Sequence, residues 1–234
     1  MVIFNKQTRL KNFIKGISVV LIYFIVSFFR TVPLSLLNID YNTLSTFAKE
    51  FYNIATEVAL LGIIFIIFSE QYKKAWDDLK QNHRKYFSDN LKFYLLGVIL
   101  MMGANALIAV LGGSMSENES SIRDQFAIAP IYTYISAVFL APILEESVFR
   151  LSFRNMFENN FLFIVISGLV FGGLHLISGV NMELFFLYVI AYCSFGIIFA
   201  YMLTKTNNIF VSMGFHLMHN GILMSLQVFL LLFG

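Results

Sequence analysis

Residues 127–150 read AIAPIYTYISAVFLAPILEESVFR. The stretch from Ala127 to Leu144 carries no formal charge, and two adjacent acids, Glu145 and Glu146, follow it directly. An uncharged apolar stretch of this length predicts a helix that crosses a membrane. Ionisable groups at the end of such a helix are costly to place there, so the paired glutamates predict a functional site.

Apolar residues dominate the rest of the chain as well. Of 234 residues, 58% are hydrophobic and 13% are charged, and the mean hydropathy is +0.75, whereas an ordinary soluble domain carries about 25% charged residues. We therefore predict an all-α fold, a polytopic membrane helix bundle of about seven transmembrane helices. Residues 1–234 form a single membrane domain in this interpretation. The single cysteine, Cys193, excludes an intrachain disulfide.

Seven stretches approach the roughly 20 apolar residues that a helix needs to cross the hydrocarbon layer. The predicted spans run from Gly16 to Phe29, Phe51 to Ser69, Phe93 to Ser116, Ala127 to Leu144, Asn159 to Met182, Leu184 to Thr204 and Thr206 to Gly234. The first span is short, and the second contains Glu57, whose role the sequence leaves open. Residues 127–230 form the predicted catalytic core.

The distribution of basic residues predicts how these spans are oriented. Lysine and arginine concentrate in alternate connections, and the other connections keep only Arg30, Lys49 and Arg123. The positive-inside rule then places the N-terminus in the cytoplasm and the C-terminus outside, with the protein in the plasma membrane. The basic loop from Tyr72 to Lys92 borders two spans, which favours contact with anionic lipid of the bilayer and argues against a nucleic-acid partner.

Polar side chains recur in the last four spans. Glu145 and His175 lie at similar distances from the turn at Asn159, so in a helical hairpin we expect them at the same depth and facing each other. His216 and Asn220 share a helix face because they are four residues apart, and they reach a comparable depth from another helix.

The two glutamates are expected to have different roles. Glu146 and Arg150 are spaced i,i+4 in the order that favours a helical ion pair, which makes them structural support. Glu145 lies about 100° around the helix and stays available for chemistry. Alternatively, both acids only cap the helix end and interact with Arg150 and Arg154.

These residues together resemble the CPBP family of intramembrane proteases, which comprises the type II CAAX prenyl endopeptidases and bacterial relatives linked to bacteriocin processing and immunity, called Abi proteins. The family has three motifs, and each has a counterpart here on a separate apolar helix. They are EExxxR at Glu145 to Arg150, FxxxH at Phe171 to His175, and HxxxN at His216 to Asn220. The resemblance covers about residues 130–225.

The resemblance implies a glutamate-dependent endopeptidase with its site in a membrane cavity open toward the inner face. It implies that Glu145, helped by His175, activates a water molecule, and that His216 and Asn220 stabilise the oxyanion. Catalysis without a cofactor is favoured, and zinc bound by Glu145, His175 and His216 is the alternative. His219 is extra to the motif, and either packing or metal ligation is open to it.

Other functions were weighed against this interpretation. A rhomboid-type serine protease would show GxSG, and a presenilin-type protease would show paired intramembrane aspartates, but no aspartate follows Asp124. The expected substrate is a membrane-associated peptide or protein, such as a bacteriocin or pheromone precursor. The alternative function is a non-catalytic immunity or regulatory protein that binds a toxin, kinase or transporter in the membrane.

Overall fold

A computed structural model of the chain describes residues 6–233. Residues 1–5, where the basic N-terminal segment starts, and Gly234, where the seventh predicted span ends, lie outside the described residues. The helices are α1 (Lys6–Phe28), α2 (Val32–Leu36), α3 (Thr46–Ile67), α4 (Ser69–Val110), α5 (Glu117–Ile128), α6 (residues 130–156), α7 (Asn160–Leu174), α8 (Phe185–Thr206) and α9 (Ile209–Phe233). Short 3₁₀ turns lie at Tyr41–Thr43 and Met182–Leu184.

Helix α6 is one continuous helical stretch with two wider turns. It consists of α-helical segments at Pro130–Ile135, Ala141–Glu145 and Phe153–Met156, separated by π-helical segments at Ser136–Leu140 and Glu146–Ser152. At 1.5 Å per residue, a helix of this length extends for about 40 Å, which is enough to cross a bilayer.

The described residues form an all-α membrane bundle, and this part of the prediction is confirmed. Five helices of residues 6–233 are long and apolar enough to cross a membrane, namely α1, α3, α4, α8 and α9. The two remaining predicted spans correspond to α6, which carries the paired glutamates, and to the shorter apolar helix α7.

Two predicted boundaries are wrong. The predicted loop from Tyr72 to Lys92 is helical, because α4 continues from Ser69 through this basic segment into the third span. The fifth predicted span ends at Leu174 instead of Met182, so α7 extends for only about 22 Å. His175 is the residue that caps the C-terminus of this short helix.

Close packing of α7 against α8 fixes the depth of the helix that carries the second motif. A Cβ atom on Gly196 of α8 would lie 2.6 Å from the carbonyl oxygen of Gly168 in α7, and one on Gly168 would lie 2.8 Å from the backbone nitrogen of Ile197. The two backbones can approach this closely only because Gly168 and Gly196 have no Cβ atom, and small residues let membrane helices pack in this way.

The turn between α8 and α9 is tied to the aqueous end of α4. Asn207 adopts the left-handed conformation, with φ of 52°, where α8 ends. The side-chain amide of the next residue, Asn208, donates to the Ala75 carbonyl at 2.7 Å and to Asp78 Oδ2 at 2.8 Å. These bonds hold the start of α9, and with it the third motif, in register with α4.

Candidate active site

The paired glutamates lie where α6 changes from α-helical to π-helical geometry. Glu145 ends the segment Ala141–Glu145, and Glu146 begins the π-helical segment Glu146–Ser152. Hydroxyl groups accompany this change, because Ser152 Oγ donates to the Ser147 carbonyl at 3.0 Å and Ser167 Oγ donates to the Phe149 carbonyl at 2.6 Å. Such π-helical turns occur frequently at functional sites.

Glu146 is enclosed by protein. Its side chain is 0% exposed, its Oε1 atom is 3.0 Å from His216 Nδ1, and the same oxygen is 3.4 Å from Arg150 Nε. The ionised carboxylate only accepts hydrogen bonds, so His216 must donate from Nδ1. The ion pair with Arg150 has the i,i+4 spacing noted in the sequence.

Arg150 is held by aromatic and backbone groups as well. Its guanidinium lies 4.0 Å from the centre of the Phe171 ring, and its Nη2 atom donates to the Gly196 carbonyl at 3.5 Å. Because the side chain is fully buried, these contacts replace only part of the water that a surface arginine would bind, and among the described residues Nε and Nη1 have no hydrogen-bond partner. Arg150 therefore links α6 to both α7 and α8.

Glu145 faces a different environment from its neighbour. Its side chain is 19% exposed, and its Oε2 atom lies 3.6 Å from His216 Nε2. His216 thus stands between the two acids, with one ring nitrogen toward each. When the ring is neutral, the proton on Nδ1 leaves the lone pair on Nε2, on the side of Glu145.

His175 and Asn220 lie near this group with defined hydrogen bonds. His175 Nδ1 is 2.9 Å from the Phe171 carbonyl, an acceptor, so Nδ1 carries the proton and Nε2 is free to accept. Asn220 donates from Nδ2 to the Ala137 carbonyl at 2.9 Å, and its amide has a second N–H to offer. Within residues 6–233, no hydrogen bond or ion pair joins Glu145 to His175, so the expected pairing of these two stays a prediction.

A cavity of about 110 Å³ borders Glu145. Its wall includes Tyr23 from α1, Arg30 from the turn after α1, Glu57 from α3 and Leu144 from α6. The sequence left the role of Glu57 open and assigned Arg30 only to the outer end of the first span, as a basic residue that flanks it. Under the predicted orientation this cavity lies toward the outer face, which differs from the inner opening that the resemblance implies.

His219 packs on the far side of α9. Its Nδ1 atom lies 3.5 Å from the Tyr94 hydroxyl, and its ring centre is 4.2 Å from that of Phe195. The contacts are with α4 and α8, among aromatic rings. They favour the packing role over metal ligation for this residue.

Zinc binding, the alternative to catalysis without a cofactor, requires at least three ligand side chains that lie close together. No three His, Cys, Asp or Glu side chains in the described part of the chain are grouped so that they could hold a metal ion. Both rings use Nδ1 for a hydrogen bond, His216 to Glu146 and His175 to a backbone carbonyl, and their free Nε2 atoms are not grouped with Glu145 as a set of three ligands. The residues as arranged therefore do not fit a zinc ion.

Comparison with known proteins adds to this geometry. Residues 127–222 match the profile of the family described as type II CAAX prenyl endopeptidase Rce1-like. This segment belongs to the CPBP family. It contains all three motifs, from Glu145 to Asn220, so the resemblance seen in the sequence is confirmed for the CPBP segment.

Two curated relatives extend the comparison. The "Putative membrane peptidase YdiL" of Bacillus subtilis is 31% identical over 119 residues, which are 50% of this chain and 45% of that protein. An "Uncharacterized protein" of Mycoplasma capricolum is 27% identical over 171 residues, which are 65% of this chain and 49% of that protein. The chain thus spans about half the length of the curated relatives it matches. No solved structure matches it.

Proposed function

We propose that this protein is an intramembrane endopeptidase that hydrolyses peptide bonds of membrane-associated peptides or proteins by a glutamate-dependent mechanism. The observation that carries the proposal is the contact of Glu145 with His216 at the edge of a cavity, while Glu146 holds the other side of the imidazole. Membership of residues 127–222 in the CPBP family supports the same activity.

Glu145 is the general base in this proposal. It takes a proton from a water molecule whose oxygen then bonds to the scissile carbonyl carbon, and the free Nε2 of His175 orients that water by accepting a hydrogen bond from its second O–H group. When the carbon–nitrogen bond breaks, the protonated Glu145 gives its proton to the leaving amine. The atoms balance without a cofactor, and the protein supplies both proton transfers from one carboxyl group.

His216 and Asn220 stabilise the negative oxygen of the tetrahedral intermediate. In its protonated form, His216 lies between two glutamates and donates from Nε2, while Asn220 donates from the N–H that does not bind Ala137. Glu146 and Arg150 do not touch the reacting atoms in this scheme. They hold His216 and the π-helical turn in place.

The finer parts of the proposal concern substrate and location. We propose a bacteriocin or pheromone precursor, or a role in self-immunity, with the protein in the plasma membrane, its N-terminus cytoplasmic and its C-terminus outside. The alternation of basic connections supports this orientation.

Comparative peptidomics of membranes tests the activity. Cells carry the wild-type protein, Glu145→Gln, His175→Ala, or the matched control Glu70→Gln, which alters an exposed glutamate on α4. Peptides that depend on the wild type are expected to persist with Glu70→Gln and to disappear with the two site variants. Removing a general base lowers rates by about 100- to 10,000-fold, and a zinc chelator is expected to leave cleavage unchanged.

Wild-type cleavage by both site variants, at equal protein levels, would refute the proposed mechanism. If the variants lose cleavage but keep the protective effect of the wild type in the host cell, the non-catalytic immunity function is the better explanation of that effect. Loss of cleavage on chelation would restore the zinc alternative.

A further inference from the structure

The cavity beside Glu145 contains a cation that the proposed chemistry does not use. Arg30 follows α1 and lines the same cavity of about 110 Å³ as Glu145, with its side chain 34% exposed. An arginine at the wall of an intramembrane cavity is a functional group by default, because placing it there is costly.

Contacts of both the backbone and the side chain hold Arg30 in position. The Tyr52 hydroxyl donates to its carbonyl oxygen at 2.5 Å, which fixes the chain where α1 has ended. Its Nη1 atom donates to Asn53 Oδ1 at 3.4 Å, and its Nη2 atom lies 3.8 Å from Glu57 Oε1. Both distances are long for charge-assisted hydrogen bonds, which are about 2.7 to 2.9 Å.

The guanidinium also has a donor that the protein leaves unused. Among the described residues, Arg30 Nε is buried and has no hydrogen-bond partner. A guanidinium offers five N–H donors in one plane, and a buried donor without a partner is destabilising. Because Nε itself is shielded, a ligand that enters the cavity would bind the Nη atoms, whose contacts with Asn53 and Glu57 are long.

Both carboxylate oxygens of Glu57 have hydrogen-bond donors, whereas the guanidinium of Arg30 lacks close acceptors. Its two carboxylate oxygens accept hydrogen bonds from the Tyr132 hydroxyl at 3.2 Å and from Ser136 Oγ at 2.9 Å. These bonds from α6 fix the Glu57 carboxylate in the cavity wall as a counter-ion of Arg30. They leave the arginine, rather than the glutamate, as the group with free donors at the cavity.

We propose that Arg30 forms a substrate subsite that binds a carboxylate next to Glu145. Arginine recognises carboxylates by two parallel N–H bonds, a geometry that lysine cannot reproduce. The subsite deepens the proposed endopeptidase function and rests on it, since the ligand is a peptide that places its C-terminal carboxylate or an acidic side chain beside the scissile bond. Because the cavity is small, it takes that one group and not the peptide as a whole.

Binding to the inactive full-length chain tests the subsite without cleavage. Glu145→Gln protein in lipid nanodiscs is titrated with a fluorescein-labelled Leu-Ala-Phe-Leu-Ala peptide as the C-terminal acid and as the C-terminal amide. A second pair consists of amides in which Glu or Gln replaces the central Phe. We expect the charged member of one pair to bind about tenfold more tightly than its uncharged match, and the pair that discriminates identifies the source of the carboxylate.

Variants of Arg30 and Glu57 show whether Arg30 causes the preference for the charged peptide. On the Glu145→Gln background, Arg30→Gln combined with Glu57→Gln is expected to reduce the ratio to about one without leaving a buried charge unpaired. Arg30→Lys keeps the charge and is expected to retain only part of the preference for the charged peptide. The control Arg123→Gln removes an exposed arginine that pairs with Glu119, and it is expected to change nothing.

Equal binding of acid and uncharged peptides in both pairs overturns the subsite, as does a preference that survives removal of Arg30 and Glu57. These results are separable from failure of the proposed function. Glu145-dependent cleavage without an effect of Arg30 refutes the subsite alone, whereas an Arg30-dependent preference in a protein that cleaves nothing refutes the endopeptidase alone.

Discussion

Glu145 and Glu146 are neighbours in the chain, yet they lie in opposite kinds of environment. Glu146 is fully buried and bound by His216 and Arg150, whereas Glu145 is partly exposed and borders a cavity with Arg30. One imidazole touches both acids. The difference shows that a single step along a helix, at the start of a π-helical turn, is enough to separate a fully buried carboxylate from one that borders a cavity.

The comparison assigns different consequences to the loss of each charge. A buried ion must keep its partners, because the membrane interior and the packed protein offer no water to replace them. A cavity-lining carboxylate can change its protonation without unsettling the fold, which is a requirement for a group that gains and loses a proton in each turnover. Stability and chemistry should therefore respond in opposite ways to substitution of the two residues.

The largest effect is expected from Glu146→Gln. This change leaves Arg150 charged and buried without a counter-ion, so we expect the free energy of unfolding to fall by about 3–5 kcal/mol. For Glu145→Gln we expect a change below about 1 kcal/mol. Thermal unfolding of the two purified variants in the same nanodiscs, followed by the fluorescence of Trp76, measures the difference.

Removing both charges provides the control for that experiment. Glu146→Gln combined with Arg150→Met should recover part of the stability, because no buried charge then stands alone. If Glu145→Gln were as destabilising as Glu146→Gln, the division between an architectural and a chemical glutamate would be wrong.

A smaller effect is expected where α8 supports the Glu146 side. In Gly196→Ala, the added methyl group would lie 2.6 Å from the Gly168 carbonyl oxygen, so α7 and α8 must separate. The carbonyl of Gly196 that Arg150 uses would shift with them. We expect a loss of about 1–3 kcal/mol in the same unfolding assay.

The matched control for this helix contact is Gly103→Ala in α4. A Cβ atom at Gly103 meets nothing within 4 Å, and alanine favours a helix over glycine, so this variant should be neutral or slightly more stable. Equal destabilisation by the two alanines would mean that close approach of α7 and α8 does not support the site.

Hydropathy predicted most of the fold, but it does not predict the secondary structure of polar segments. The apolar stretches correspond to helices, and Asn159 and Asn207 lie at the predicted turns. In the sequence, the segment from Tyr72 to Lys92 looks like a loop because it is polar. Its composition is equally compatible with a polar helix that continues into a longer one, as it does in α4. The end of α7 before Met182 was missed for a similar reason, since apolar residues continue past His175 without a helix.

The site was predictable in its members and less so in its contacts. Equal distance from a turn predicts the depth of Glu145 and His175, but it does not predict rotation about the helix axis. The π-helical turns of α6 alter that rotation, and the contact observed for Glu145 is with His216. The pairing of Arg30 with Glu57 joins two distant helices, and no local spacing rule reports such a contact.

The smallest effect is expected for a third carboxylate, Asp78, which lies on α4 outside the membrane-spanning part. The amide of Asn208 donates to it and holds its pKa below the usual range of an aspartate, with further hydrogen bonds from Tyr86 and Asn82. Because the folded-state pKa is lowered, the stabilisation is present above the unfolded value of about 3.9 and is lost as the pH falls through the folded value.

Asp78→Asn should therefore lower stability slightly near pH 7, by less than about 1 kcal/mol, because the group is only half-buried. The difference between wild type and variant should shrink as the pH is lowered below about 4. Asp77→Asn, at the exposed neighbouring position that pairs with Lys80, is the control for the general effect of acid. Equal stability of wild type and Asp78→Asn at every pH would show that the Asn208 contact depends on side-chain shape rather than on charge, because asparagine keeps the shape of aspartate and loses only its charge and titration.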